Sequence, residues 1–169
     1  MRITAPVIIA LAAVTLSGCV TIVAPASTQA PPTPTPTVSA TPDDGVLVEC
    51  EGELVIDQPG EYAVGGDCEA LSVQGQGIEV RIGDVGTVTI NGDDNEIEAS
   101  AVDLVQISGQ SNEITATDVG TLDIRGDRNE AEFSADLGSL VIAGNDNEVG
   151  ANAIGQTSDS GDRNRVTGR

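Results

Sequence analysis

Between Val85 and Ala153 the chain repeats one pattern of apolar and polar positions four times: VGTVTINGDDNEIEASA, VDLVQISGQSNEITATD, VGTLDIRGDRNEAEFSAD and LGSLVIAGNDNEVGANA. Aligned on Gly92, Gly109, Gly126, Gly144 and Gly161, the spacings are 17, 17, 18 and 17 residues, and the register extends back to Gly75. A unit this short with alternation inside it predicts a β-solenoid. One repeat makes one coil, stacked on the next at about 4.8 Å. Helix-pair repeats need longer units. The expected fold class is therefore all-β, a short-coil solenoid of about seven 17-residue coils with strands and almost no helix.

The alternation assigns the faces. Within one unit Val85, Val88 and Ile90 share the inward phase, Gly92 makes the corner, and Asn95, Ile97 and Ala99 share the inward phase of the next strand. Each position becomes a column along the axis. Leu71, Val88, Val105, Leu122 and Leu140 form one; Val73, Ile90, Ile107, Ile124 and Ile142 a second; Val80, Ile97, Ile114, Ala131 and Val149 a third. These are the predicted core.

The polar columns carry the rest of the pattern. A glycine column suits a corner that needs positive φ or a close backbone approach. Asn95, Asn112, Asn129, Asn147 and Asn164 follow three residues later. Their amides can bond corner backbone groups and one another as a ladder, the alternative being a row that binds a ligand. Ile78 occupies the same column, which favours an inward structural role. Next to it, Glu79, Glu96, Glu113, Glu130 and Glu148 point outward as an acidic ladder ending at Arg165, flanked by Glu98, Glu132 and the corner acids Asp93, Asp94, Asp127 and Asp146. Neighbouring rungs repel by roughly 0.9 kcal/mol in bulk water before screening. That cost is tolerable on a solvated face, so the ladder reads either as protection against edge-to-edge pairing or as a surface for a basic partner or weak divalent cation.

Cysteine spacing adds a constraint. Cys68 falls in the column of Val85, Val102, Val119, Leu137 and Ile154, and Cys50 precedes it by one 18-residue step. Stacked residues lie within the separation a disulfide accepts, and an exported compartment permits oxidation. A Cys50–Cys68 bridge is expected, with two buried free thiols as the alternative. At the last coil Thr157 and Asp159 replace the column residues Leu140 and Ile142, as suits a cap. Val46 to Val48 offer a first strand.

The solenoid pattern occupies residues 45–169. Residues 1–18, MRITAPVIIALAAVTLSG, read as a secretory leader, and Leu16-Ser17-Gly18-Cys19 resembles the lipobox of bacterial lipoproteins. That resemblance implies cleavage before Cys19 and lipidation of its sulfur. Residues 19–44, rich in Pro and Thr, read as a disordered tether that lifts the domain from the membrane.

Composition narrows the function classes. The chain has 27 acidic residues against 7 basic ones, no His and a net charge of −20. Nucleic acid and anionic headgroups are thus poor direct partners, and contact with the membrane is expected through the lipid alone. No histidine or lysine is available as base, nucleophile or metal ligand, and one Tyr and one Phe cannot line a sugar cleft. No enzyme, cofactor or dedicated metal centre is expected. Cys19, Cys50, Cys68 and the Gly and Asn columns resemble the actinobacterial lipoproteins of the family called domain of unknown function 3060. The resemblance spans roughly residues 45 to 169, with Ile78 and the regular Glu as departures, and implies a β-solenoid in the cell envelope without catalytic residues. The expected role is a lipid-anchored structural or interaction module on the extracytoplasmic face of the cell membrane. A calcium-binding or carbohydrate-active surface protein is the alternative.

Overall fold

The computed structural model describes the backbone of residues 38–40 and the whole of residues 45–168. The leader, Cys19 and the rest of the tether lie outside the described residues. The chain forms β1 (Val38–Ala40), β2 (Val46–Ile56), β3 (Gly60–Gln76), β4 (Ile78–Ile82), β5 (Val85–Asp93) and β6 (Glu96–Ser108). It continues with β7 (Glu113–Ile124), β8 (Glu130–Phe133), β9 (Leu137–Ile142), β10 (Glu148–Ala151), β11 (Ile154–Asp159) and β12 (Arg165–Gly168). Among the described residues there is no helix, and apart from β1 every pairing is parallel, one coil to the next. This is a β-solenoid of about seven turns.

The register is the repeat itself. Val88 pairs with Val105, Val105 with Leu122 and Leu122 with Leu140, while Ile90, Ile107, Ile124 and Ile142 line up beside them. All of these side chains are fully buried. A branched aliphatic column suits this geometry, because each side chain packs on its copy one coil away in the same rotamer environment. One column varies in size: Ala99 pairs with Ala116 and Ala116 with Phe133, the chain's single Phe, which is buried against the small residues of its neighbours.

The glycine corner resolves an alternative. Gly92, Gly109, Gly126, Gly144 and Gly161 are not in the left-handed region; they are needed for close approach. A Cβ on any of them would lie 1.7–1.8 Å from the carbonyl oxygen of the glycine one coil back. Positive φ falls two residues later, on Asp94, Ser111, Arg128, Asp146 and Arg163, with φ between 56° and 59°. Gly77, at φ 64°, holds the same position in the earliest of these coils.

Two other expectations are adjusted, and the polar last coil is as expected. Val38–Ala40, assigned to the tether, pairs antiparallel with Val46–Val48, giving the entry strand a neighbour on its outer edge. Cys50 does not stack directly beneath Cys68: the register sets Gly52 opposite Cys68 and Cys50 opposite Gly66, with a shift after Gly52. The disulfide nevertheless forms, diagonally, across a Cα–Cα distance of 5.2 Å. The last coil is exposed almost throughout, since Thr157 pairs with Leu140 and Asp159 with Ile142 and both substitute polar groups for the core.

Candidate functional site

The asparagine column is interior. Asn95, Asn112, Asn129 and Asn147 are each 1 % exposed, which for an amide demands partners. Each supplies them to the next. Nδ2 of Asn112 donates to Oδ1 of Asn129 at 3.0 Å and to the carbonyl of Gly92 at 2.9 Å, while the Asn112 backbone N–H donates to the same Oδ1. The unit repeats from Asn95 through Asn147. Asparagine carries out this role because one planar side chain offers an acceptor with two lone pairs and a two-proton donor. At the lower end the Ile78 N–H fills the Asn95 acceptor.

The upper end is closed by a carboxylate. Among the described residues no asparagine stands above Asn164, and its Nδ2 donates to Oδ1 of Asp159 at 2.8 Å, an oxygen that also accepts the Gly161 N–H at 2.9 Å. Asp159 thus caps the amide ladder. Asp159→Ala is expected to speed amide exchange in residues 154–168 by about tenfold, corresponding to a lost charge-assisted bond, with residues 85–130 unchanged. Hydrogen exchange read by mass spectrometry checks this.

Outside the amide ladder the glutamates are in register: Glu61 pairs with Glu79, Glu79 with Glu96, Glu96 with Glu113, Glu113 with Glu130 and Glu130 with Glu148, and Arg165 stands on Glu148. Glu61 is a sixth rung that the sequence reading missed. Two of the rungs, Glu79 and Glu148, are compensated. Arg81 bonds Glu79 and lies 3.4 Å from Glu98, and Arg165 lies 3.4 Å from Glu148. Among the described residues no Arg reaches Glu96, Glu113 or Glu130, so the middle rungs face solvent as bare carboxylates. A shallow groove of about 310 Å³ runs beside them, lined by Glu98, Thr115 and Glu132 over Ala99, Ala116 and Phe133.

The corner acids have other duties. Asp93 accepts the Gln110 N–H at 2.8 Å and Asp127 the Asn145 N–H at 2.7 Å, which ties successive corners together. Asp146 holds Arg163 in a two-point ion pair at 2.6 Å, and that hydrogen bond lowers the Asp146 carboxyl below its ordinary range. These groups are structural rather than part of a free acidic surface. Among the described residues no three His, Cys, Asp or Glu side chains are placed to share an ion, and no buried side-chain polar atom lacks a partner.

A β-solenoid of parallel coils with a glycine–asparagine corner and an acidic outer ladder is the class of protein that these features define. Residues 90–135, which span the central Gly and Asn positions and the three middle rungs of the glutamate ladder, match the family model described as Protein of unknown function (DUF3060). The chain is DUF3060-like over that stretch. No curated protein and no solved structure matches it.

Proposed function

We propose that the protein is a lipid-anchored module of the cell envelope, held at the extracytoplasmic face through Cys19, whose solenoid is a non-enzymatic interaction surface for a basic partner. The bare middle rungs Glu96, Glu113 and Glu130 carry this reading: they repeat a carboxylate in register along a rigid face where structure does not require one. Among the described residues every buried side-chain polar atom already has a partner, so the interior polar groups do not compete for this role. An extended cationic segment fits such a face better than a single ion, because a row of carboxylates offers few oxygens at any one point.

Two measurements test it. In a host that lipidates exported proteins, the wild type is expected in the detergent phase of a Triton X-114 partition and Cys19→Ala in the aqueous phase; equal partition rejects the anchor. The triple variant Glu96→Gln, Glu113→Gln, Glu130→Gln is expected to keep the melting temperature and to lose most binding to immobilised polylysine at moderate salt. Undiminished binding by that variant would show that the ladder is not the contact surface.

A further inference from the structure

The disulfide sits at one particular boundary. β2 is the entry strand of the solenoid, and besides β1 at Val46–Val48 its neighbour is β3. Solenoid coils are held only by adjacent coils, so an end coil is the first unit to separate. Cys50–Cys68 crosses the β2–β3 boundary, and no other boundary has a covalent link among the described residues.

Uncompensated charge and a broken register meet at this boundary. From Gly45 to Gln76 the chain carries Glu49, Glu51, Glu53, Asp57, Glu61, Asp67 and Glu69, all exposed, with no Arg among them. Glu51 stands directly opposite Asp67 in the register. The first Arg of the domain is Arg81, already on the next coil, where it bonds Glu79. Farther along, Arg residues reach acids across coils at some boundaries, Arg81 to Glu98, Arg163 to Asp146 and Arg165 to Glu148, although among the described residues the rungs Glu96, Glu113 and Glu130 stay unmatched. The same corner is also irregular, with Gly52 and Gly66 at φ 86° and 91° and the register shift after Gly52. Repulsion and a broken ladder therefore coincide where the bridge lies.

We infer that the Cys50–Cys68 bridge is a clamp on a detachable end coil: it holds β2 on β3 against charge repulsion, and cutting it frees β2 while the coils beyond stay folded. Opening uncovers the edge of β3 together with the apolar side chains Val64, Leu71 and Val73, which are 8 %, 0 % and 0 % exposed when the coil is closed. The clamp is redox-sensitive in a defined sense. A dithiol reductant breaks the S–S bond, leaves a thiol on each of Cys50 and Cys68, and is itself oxidised to its disulfide. Salt acts on the same boundary by screening the repulsion.

The test compares hydrogen exchange of the oxidised full-length protein with that of the double variant Cys50→Ser, Cys68→Ser. Residues 46–64 of the variant are expected to exchange about tenfold faster or more at low salt, residues 85–151 to keep wild-type protection, and the excess to shrink at high salt. Wild-type protein treated with a dithiol should reproduce the pattern. No change in residues 46–64 would overturn the inference, and so would a loss spread evenly over the solenoid or a variant that fails to fold, since the coils beyond must stand without the clamp. A local loss that ignores salt would remove the role assigned to charge.

Discussion

Gly126→Ala is expected to prevent the solenoid from closing at its centre. The added methyl would sit 1.7 Å from the Gly109 carbonyl oxygen, a backbone atom that cannot swing aside as a long side chain can. Relief requires the two coils to part, and parting breaks the β6–β7 pairing from Val102 to Ile107 and the stacking of Val105 on Leu122. Overpacking against backbone in a close-packed core typically costs a few kcal/mol, and here the displaced oxygen is also the acceptor for Asn129 Nδ2. A loss of about 4 kcal/mol or more follows, with a fall in melting temperature of about 15 °C or insoluble expression. Circular dichroism melts check it. Gly52→Ala serves as a contrast: it has positive φ, so Ala is strained there, but nothing lies within 4 Å of its Cβ position and the loss should be much smaller.

The comparison between these glycines also shows what sequence could and could not reveal. The inward columns were legible because alternation and period act together: a residue such as Ile107 is apolar in phase and has apolar copies one period away on both sides. The asparagines were legible as an inward column because Ile78 shares it. Glycine's purpose was not. A repeated Gly fits a left-handed corner and a close approach equally well, and only backbone geometry separates them. The left-handed position itself is filled by Asp, Ser and Arg, so no residue type announces it. Cys50 was placed in the wrong register because the shift after Gly52 interrupts the period that the reading relied on. Glu61 was missed for a related reason: Gly60 stands in its coil where Ile78 and then the asparagines stand, and the phrase is no longer recognisable. Val38–Ala40 is three residues long, too short for alternation to mark a strand. For the candidate site, the spacing of the glutamates and the Arg165 that ends them was visible directly, whereas the reach of Arg81 to Glu79 on its own strand and to Glu98 one coil on was not.

Asn129→Ala is the second large effect expected, and it isolates the amide ladder from the close packing around it. Truncation removes four hydrogen bonds: from Asn129 Nδ2 to Asn147 Oδ1 and to the Gly109 carbonyl, and from the Asn112 backbone N–H and Nδ2 to Asn129 Oδ1. The partners stay buried, since Asn112 and Asn147 are each 1 % exposed. Leaving donors and acceptors unpaired in the interior is costlier than losing bonds to solvent, about 1–3 kcal/mol for each stranded group, partly recovered as the neighbours shift. A net loss of about 3–4 kcal/mol and a melting temperature lower by about 10 °C are expected, from urea and thermal unfolding. The Gly and Asn columns converge on one atom, the carbonyl oxygen of Gly109, so the double variant Gly126→Ala, Asn129→Ala should lose clearly less than the sum of the two single losses. Strict additivity would mean that glycine and asparagine act separately. A shortfall of about 1 kcal/mol or more would mean that each coil is fixed to the next by a single unit in which the glycine brings one backbone close enough for the asparagine of its own coil to hold it.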